Sequence, residues 1–305
     1  MNTESGFYEQ ATRRNLGLVT EDEQALLRRS TVAIAGMGAV GGHYLIALTR
    51  LGVGRFVIAD PDIFETVNLH RQAGAFTDTL GKGKAETMAR MAREINPDLD
   101  VRLFPRAVTE ANAAEFLQGA DLVLDGIDFF QIDARRALHN AAREQGLYSI
   151  TSGPIGYGAS LQVFDPNGMT FDKYFGIAEG MTRAERLAAF ATGLIPNLGK
   201  AQAMDAARVD FETEKGPALV SAIMLCTGIV ANEAMRILTR RAQPLCVPHA
   251  LFFDPYGRSL TRRRRPRHRW IARLVQRLVF RRYPSLLRLH ETEKQTALGA
   301  ASLTA

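Results

Sequence analysis

The chain has 305 residues, 46% of them hydrophobic, so it can bury a substantial core. It has only 2 Cys and no CxxC pair, which excludes a disulfide framework and a structural zinc site, and its first residues lack the layout of a signal peptide. The formal charge of +6 is concentrated near one end, because residues 262–290 hold 11 Arg and no acidic residue. The basic character therefore belongs to a tail and does not by itself indicate a nucleic-acid-binding protein. We expect a cytoplasmic protein.

The first 30 residues predict an N-terminal arm of one or two helices. Thr20 is the expected N-cap of a helix, with Glu23 three residues later as in a capping box. An apolar strand over 31–36 follows. A glycine-rich turn then leads into a helix over 41–51, and a second strand covers 55–60.

Strands and helices continue to alternate as far as residue 151, which predicts βαβ units and a mainly parallel sheet. The fold class that we predict is therefore α/β, Rossmann-like, with helices on both faces of the sheet. The further predicted helices cover 84–95, 110–118 and 133–145, and the further predicted strands cover 101–104, 122–124 and 148–151.

Beyond residue 153 the alternation stops. Strands predicted over 159–164 and 250–253 have no crossover helix next to them, so we expect an antiparallel extension of the sheet. Between them lie a loop-rich stretch, 165–215, and an apolar helix over 218–238. The most apolar part of this helix is too short and too polar for a membrane span.

The tail, residues 261–305, follows a globular domain over 31–260. Apolar residues recur along it with helical spacing beside a row of arginines, which predicts a basic amphipathic helix. Such a helix could dock on its own domain or a dimer partner, lie on an anionic membrane, or contact RNA phosphates. We expect the last dozen residues to be disordered. The apolar positions are Trp270, Ile271, Leu274, Val275, Leu278 and Val279, and the arginines are Arg269, Arg273, Arg277 and Arg281.

Three glycines, Gly36, Gly38 and Gly41, have the G-x-G-x-x-G spacing between a strand and a helix. The first permits a tight turn, the second lets backbone approach a phosphate, and the third permits close packing of helix on strand. The N-terminus of the following helix offers free N–H groups to an anion. Asp60, at the end of the second strand, can accept hydrogen bonds from a ribose. These features predict an adenosine cofactor without separating NAD from ATP.

Side chains just past Asp60 favour a triphosphate over a diphosphate. Arg71 and Lys84 could clamp a phosphate chain and neutralise charge on a departing pyrophosphate, and Asn68 could donate to a phosphate oxygen. Lys84 begins a predicted helix, where the helix dipole disfavours a cation, so we expect it to have a role other than stabilising that helix. The cationic and amide residues within 24 positions of Asp60 are Asn68, Arg71, Gln72, Lys82 and Lys84.

Two acidic residues, Asp125 and Asp128, follow the buried strand 122–124. Ligands of open α/β sheets bind at the carboxyl ends of the strands. A carboxylate there suits Mg²⁺, which binds one or two carboxylates together with phosphate oxygens. Asp125 could instead cap a turn.

These motifs resemble the ThiF/MoeB/HesA superfamily, whose fold is the adenylating fold of ubiquitin-activating enzymes. The resemblance covers about residues 7–165, with the motifs in order and at family spacing, and it continues more weakly through 218–238 and 250–254. The series Asp-x-Asp, Asn-x-x-Arg-Gln and Lys is its most specific part. The matching stretches are RRNLG (13–17), VAIAGMGAVGG (32–42), RLGVGRFVIADPDIFETVNLHRQ (50–72), GKGKAE (81–86), INP (95–97) and DLVLDGIDFF (121–130).

The resemblance implies an adenylation domain over 31–260 in which a carboxylate attacks the α-phosphate of ATP and pyrophosphate leaves. It also implies roles for single residues. Asp60 would hold the ribose, and Asp128 would hold Mg²⁺. The phosphates would be held by Asn68, Arg71 and Lys84. Asp62 and Gln72 would also belong to the nucleotide site. Arg14 would reach into the site of a partner subunit, so the resemblance implies a homodimer. The acceptor would be a ubiquitin-like protein or sulfur carrier, a peptide or a small acid.

The chain departs from parts of the family pattern. It lacks the two CxxC pairs of the zinc-binding members, so we expect no zinc. Many members pass the acyl group to a cysteine in a crossover loop, but the comparable loop, about 196–217, has no Cys. Cys226 lies in an apolar helix and Cys246 in a loop without an evident base, so we expect both to be inert. The thioester step is therefore doubtful.

Two other functions stay open at this point. One is an NAD(P)-dependent oxidoreductase on the same fold, which the absence of an evident catalytic His/Arg or Tyr/Lys pair disfavours. The other is a scaffold that keeps a nucleotide site and recruits a partner through its basic tail. ATP–pyrophosphate exchange separates both from an adenylyltransferase.

Overall fold

A computed structural model describes residues 6–194, 204–264 and 278–303 of the chain, and within the last helix it describes the backbone alone after residue 296. The strands are β1 (Thr31–Ala35), β2 (Arg55–Ala59), β3 (Asp100–Phe104), β4 (Leu122–Asp125), β5 (Tyr148–Thr151), β6 (Pro154–Ile155), β7 (Gly158–Phe164), β8 (His249–Asp254) and β9 (Ser259–Arg264). The helices are α1 (Gly6–Thr12), α2 (Glu21–Arg29), α3 (Ala39–Leu51), α4 (Lys84–Ile95), α5 (Ala113–Phe116), α6 (Ile132–Glu144), α7 (Phe171–Phe175), α8 (Arg183–Leu194), α9 (Val220–Leu238), α10 (the described residues 278–282) and α11 (Pro284–Leu303).

The strands of the described residues form one sheet in the order β3-β2-β1-β4-β5-β7-β8-β9, with β6 paired to β7. The five strands from β3 to β5 are parallel, and the pairs beyond them are antiparallel. The predicted mainly parallel sheet with an antiparallel extension is therefore confirmed. The carboxyl ends of β1, β2 and β4 meet at one edge of the sheet, as the register Ala35↔Ala59 and Ala35↔Asp125 requires.

Helices cover both faces of the sheet, as predicted. One face packs on α3, α4 and α9, and its fully buried side chains include Ile34, Leu45 and Ile223. The other face packs on α5 and α6 through a second cluster that includes Phe116 and Leu138. Among the described helices, α9 is long and apolar enough to cross a membrane by length and composition, but it packs on α3 and β7 as a core helix.

The N-terminal arm is fixed to the domain. Tyr8 donates a hydrogen bond to the carbonyl of Gly52 at 2.6 Å, and Leu27 of α2 is fully buried. The predicted capping box is confirmed, since Glu23 N donates to the Thr20 hydroxyl and Thr20 N donates to the Glu23 carboxylate.

The stretch 165–215 was predicted to be loop-rich, but its described residues, 165–194 and 204–215, also contain the helices α7 and α8. Thr170 caps α7 by accepting from Lys173 N at 3.2 Å. α7 and α8 bury an aromatic and aliphatic face that packs beside Phe164, at the antiparallel end of the sheet. This third cluster, which we call the aromatic cluster, includes Phe129, Phe130, Phe164, Phe171, Tyr174, Phe175, Phe190, Phe211, Val279, Tyr283 and Leu286.

Two predictions about the chain end need correction. The tail was placed from residue 261, but Arg262–Arg264 belong to β9, because β9 pairs with β8 from Asp254↔Ser259 to His249↔Arg264. The last dozen residues were expected to be disordered, but α11 continues to Leu303. The helix is anchored before this stretch, where Leu286 is fully buried and Glu293 accepts from Ala184 N at 3.0 Å.

The predicted amphipathic tail helix lies largely outside the described residues, including Trp270, Ile271, Leu274 and Val275. Of its last two apolar positions, Val279 is 2% exposed within the aromatic cluster, whereas Leu278 is 46% exposed. At Val279, therefore, the tail packs against its own domain.

Candidate active site

The glycine-rich turn joins β1 to α3 at the carboxyl edge of the sheet. Gly36 has a φ of +89°, which favours glycine, and a Cβ there would lie 2.3 Å from the carbonyl oxygen of Gly126. A Cβ on Gly41 would lie 1.8 Å from the carbonyl oxygen of Gly36. Both glycines are therefore required by the packing of the turn itself.

Gly38 differs from the other two glycines. It is the N-cap of α3, and a Cβ on it would meet nothing closer than Gln72 Nε2 at 3.7 Å. Packing in the chain itself therefore leaves room at this position. Open space against the N-terminus of a helix is the arrangement that accepts a phosphate.

This contrast predicts different outcomes for two matched substitutions. Gly38→Ala should change the free energy of unfolding by no more than about 1 kcal/mol, because a Cβ there would make only an ordinary contact, with Gln72 Nε2 at 3.7 Å. It should nevertheless weaken ATP binding at least about tenfold, since the new methyl group occupies the space beside the helix N-terminus. Gly41→Ala should destabilise the fold itself. Thermal unfolding and ATP titration of the two variants measure both effects, and equal ATP affinity of Gly38→Ala and wild type would contradict the assignment.

Asp60 ties the end of β2 to the glycine-rich turn. One carboxylate oxygen accepts from Met37 N at 2.7 Å and the other accepts from Asp62 N at 2.8 Å. Burial raises the pKa of Asp60, and the two hydrogen bonds and the charge of Lys84 oppose that shift. Its predicted contact with a ribose stays a prediction. The structure adds that Asp60 also holds the turn in place.

Lys84 is the first residue of α4, as predicted, and its side chain is only 9% exposed. Its ammonium lies 3.0 Å from a carboxylate oxygen of Asp62, whose own side chain is 64% exposed. A second bond between the same residues joins Lys84 N to the Asp62 carbonyl at 2.8 Å. Asp62 thus holds a largely buried cation beside Asp60 at the carboxyl edge.

The segment between β2 and α4 supplies three more of the predicted residues, Asn68, Arg71 and Gln72. Asn68 is buried, and its side-chain oxygen accepts from Glu65 N at 2.9 Å. Arg71 is partly buried and donates to the Val67 carbonyl at 2.7 Å. Burial lowers the pKa of Arg71, and the charge of Asp128 opposes that shift.

Gln72 is 8% exposed, and its side-chain oxygen has no hydrogen-bond partner within the described part of the chain. Its nitrogen is the atom nearest to the Cβ position of Gly38. A buried acceptor without a partner is costly, so a hydroxyl or amino group of a ligand would stabilise it.

The two acidic residues after β4 have different environments. Asp125 is buried and accepts from Arg135 Nε at 2.6 Å, from the Thr151 hydroxyl, and from Ile127 N at 3.1 Å. Burial by itself would raise the pKa of Asp125, but the Arg135 charge and the hydrogen bonds from His139 and Thr151 lower it. Asp125 therefore caps the turn, the alternative left open above, and anchors α6.

Asp128 lies three residues further on and is exposed. One of its carboxylate oxygens accepts from Phe130 N at 2.9 Å, which fixes the direction of the side chain. Among the described residues no group of three or more His, Cys, Asp or Glu is placed to hold a metal ion. A single exposed carboxylate does suit Mg²⁺, which in nucleotide sites takes most of its ligands from phosphates and water.

Arg14 is not brought together with the other candidate residues. It is exposed on the short 3₁₀ turn Arg13–Asn15, and the neighbouring Asn15 donates to the Leu51 carbonyl at the far end of α3. The 13 residues of α3 correspond to a separation of about 20 Å from the glycine-rich turn.

A buried polar network behind Asp125 was not foreseen. Arg135 and His139 lie on one face of α6, and His139 contacts Ser149 Oγ at 2.7 Å through Nδ1 and Asp125 at 3.5 Å through Nε2. Burial lowers the pKa of His139, while Asp125 opposes that shift. The spacing of four residues between Arg135 and His139 on the buried face of a predicted helix was the signal that could have revealed it.

Comparisons with known proteins identify the family to which this chain is similar. The model of the ThiF family matches residues 12–270. The sulfur carrier protein adenylyltransferase of Thermus thermophilus is 29% identical over 252 residues, which are 82% of this chain and 84% of that protein. The tRNA threonylcarbamoyladenosine dehydratase of Haemophilus influenzae is 31% identical over 140 residues, 46% of this chain, and the match spans only 53% of that protein's length. A crystal structure of E. coli MccB with AMPCPP and MccA superimposes with a TM-score of 0.62 at 16% identity, over 85% of this chain and 73% of MccB.

Proposed function

Because the chain belongs to the ThiF family, we propose that it is an ATP-dependent adenylyltransferase. It activates a carboxylate as an acyl adenylate and releases pyrophosphate. The proposal is supported by two cations in segments that contact the glycine-rich turn and its helix. Lys84 pairs with Asp62 just past β2, and the Arg71 carbonyl contacts His43 of α3 at 3.2 Å, near the open space at Gly38. A site for a diphosphate alone would not need both side chains.

In this proposal the chain holds ATP and contributes little covalent chemistry. The carboxylate oxygen of the acceptor attacks the α-phosphorus and the bond to the bridging oxygen of pyrophosphate breaks. Asp60 orients the ribose while the α3 N-terminus and Asn68 hold phosphate oxygens. Arg71 and Lys84 stabilise the charge that grows on the leaving pyrophosphate, an effect that is strongest at partly buried sites.

Asp128 would hold Mg²⁺. The bound ion would neutralise phosphate charge and orient the phosphate chain. The contribution of the chain itself is the fixed direction of the Asp128 carboxylate, set by its hydrogen bond from Phe130 N. The charge of the same carboxylate opposes the lowering of the Arg71 pKa, so we propose that Arg71 and the bound ion act on the same phosphate chain.

The acceptor that we propose is the C-terminal carboxylate of a small sulfur carrier, ubiquitin-like protein or peptide. The Thermus relative is named for a sulfur carrier protein, and MccB was crystallised with MccA. The test is ATP–pyrophosphate exchange in the presence of such carboxylates, with NAD binding as a control. Exchange that depends on an acceptor supports the proposal. NAD binding without any exchange would overturn it.

We also propose that the protein acts as a cytoplasmic homodimer. Arg14 lies at the end of α3 opposite to the glycine-rich turn, about 20 Å away along the helix. It could therefore act on a phosphate only in the site of a second copy. Sedimentation of the protein and mixing of Arg14→Ala with Arg71→Ala chains would test this, because one intact site should re-form in a mixed dimer.

Neither cysteine is proposed to carry the acyl group. Cys226 is fully buried, and burial raises its pKa to about 12. Burial and nearby acidic residues raise the pKa of Cys246 to about 11, so only about one thiol in a thousand is ionised at pH 8.

We expect Cys246→Ser to keep wild-type activity in ATP–pyrophosphate exchange. We also expect iodoacetamide to alkylate both thiols slowly, which mass spectrometry of the treated protein measures. A loss of exchange above about fivefold in Cys246→Ser would show that this thiol takes part.

A further inference from the structure

The C-terminal helix α11 lies beyond residues 12–270, the part that matches the family model. It packs on α8 and on the segment 204–215, which follows α8 in the chain. Resting on the proposed function, we infer that α11 positions Asp128 for the reaction, through Ser285 and Phe211. Ser285 and Phe211 are thus positioning residues and do not themselves contact substrate.

The first step is the attachment of α11 to the segment 204–215. The buried hydroxyl of Ser285 donates to the Val209 carbonyl at 2.9 Å and accepts from Phe211 N at 3.3 Å. The Ser285 hydroxyl therefore forms hydrogen bonds with the backbone carbonyl of Val209 and the backbone amide of Phe211. Further out, Arg288 donates through Nε and Nη2 to a Glu212 carboxylate oxygen at 3.1 and 2.9 Å.

The second step leads from the segment to the loop that carries Asp128. The Phe211 ring is 2% exposed and lies between Tyr283, at a ring distance of 5.7 Å, and the pair Phe129 and Phe130, at 6.1 and 5.6 Å. Phe129 follows Asp128 directly in the chain. Because interiors are closely packed, a ring that is wedged between these neighbours limits where Asp128 can lie.

A third contact links the same loop and segment by hydrogen bonds. The Glu214 carboxylate accepts from Gln131 Nε2 at 2.7 Å and from Arg183. Arg183 also donates to the Phe130 carbonyl at 3.2 Å. Glu214 has a φ of +57°, a conformation that is unfavourable for Glu and that persists only where surrounding contacts impose it.

Two backbone amides in the loop 128–131 form hydrogen bonds with Asp128, so they can be used to measure whether Asp128 is held in position. Phe130 N donates to the Asp128 carboxylate and Gln131 N donates to the Asp128 carbonyl at 3.0 Å. Loosening of the loop would break both bonds, so hydrogen exchange at these amides measures directly whether Asp128 is held.

The experiment compares Ser285→Ala and Phe211→Leu with Lys294→Ala, an exposed position on the same helix, all in the full chain. We expect the first two to speed exchange at the Phe130 and Gln131 amides about fivefold or more, the size expected for losing a hydrogen bond. They should weaken binding of Mg-AMPCPP by a similar factor and leave AMP binding unchanged, because AMP needs Asp60 and the glycine-rich turn but not Asp128. Lys294→Ala should behave as wild type.

Unchanged exchange at the two amides in both variants would overturn the inference. Equal weakening of AMP and Mg-AMPCPP would also overturn it, since that result indicates general loss of structure and not displacement of Asp128. If wild type binds no Mg-AMPCPP while Ser285→Ala still speeds amide exchange, the proposed function fails and the link from α11 to Asp128 stands.

Discussion

Arg71→Ala is expected to reduce ATP–pyrophosphate exchange about 100-fold or more, the usual loss when one preorganised charge donor is removed from a reacting oxyanion. The guanidinium is partly buried and bonds only to the Val67 carbonyl among the described residues. The fold should be little affected, since one carbonyl contact is lost. Lys84→Ala should reduce the rate of exchange by a similar factor, about 100-fold or more. Its partner Asp62 is largely exposed and can be solvated once the ammonium is gone.

Lys82→Ala is the matched control for Lys84→Ala, because Lys82 lies two residues earlier and is exposed. It should exchange at the wild-type rate. Arg71→Lys separates charge from geometry, since an ammonium keeps the charge but cannot form the paired contacts of a guanidinium. Lys84→Ala that is folded by circular dichroism and still exchanges normally would refute the phosphate-clamp assignment. Absence of exchange in wild type, with a partner still bound, would favour the scaffold alternative.

Arg135→Ala is expected to lower the free energy of unfolding by about 3–5 kcal/mol, because it leaves the Asp125 carboxylate charged and unpaired in the core. The two side chains are 5% and 0% exposed, and they lie 2.6 Å apart. For a chain of 305 residues the midpoint of thermal unfolding should fall by roughly 5–8 °C. Differential scanning calorimetry at pH 7 measures it.

Arg136→Ala is the control on the same helix. Arg136 forms two bonds with Asp172, at 2.8 and 2.7 Å, but both side chains are more than a quarter exposed. The expected loss is about 1 kcal/mol at most. If both variants lose a similar free energy of unfolding, burial of the Arg135–Asp125 pair does not increase its contribution to stability, and the prediction is wrong.

The pH dependence of Arg135→Ala provides a second check. In wild type the pKa of Asp125 is lowered, so the stability from this group is fully present above about pH 4 and is lost as the pH falls through the lowered pKa. Arg135→Ala removes the charge that lowers the pKa of Asp125, so burial raises that pKa in the variant. At acid pH the Asp125 carboxylate then becomes protonated, which removes the cost of an unpaired buried charge. The difference in stability between the two proteins should therefore shrink from pH 7 towards pH 4. A difference that grows would contradict this account.

Much of the candidate site could be predicted because its residues lie in short, continuous motifs. The G-x-G-x-x-G spacing, Asp60 at a strand end and Lys84 at a helix start each depend on local chain geometry. The spacing could not separate the roles of the three glycines. Only the contacts of Gly36 and Gly41 with neighbouring backbone, and the space at Gly38, make that distinction.

The predictions that failed concern segments whose structure depends on distant partners. α7 and α8 have weak helix signals, and they form because their aromatic faces complete a cluster with residues from β7 and α11. Three arginines of the predicted tail form the edge strand β9 because β8 offers a free backbone edge. The different environments of Asp125 and Asp128 depend likewise on Arg135, which lies on the next helix.

The sequence by itself determined the α/β class, the parallel half of the sheet and the residues at its carboxyl edge, because periodicity and turn chemistry act over a few residues. The tertiary structure alone decided that Asp125 is an internal anchor, that Lys84 is paired with Asp62, and that the chain end packs against the segment leading back to Asp128. These outcomes depend on contacts between residues far apart in the chain, whose desolvation and packing no local pattern encodes.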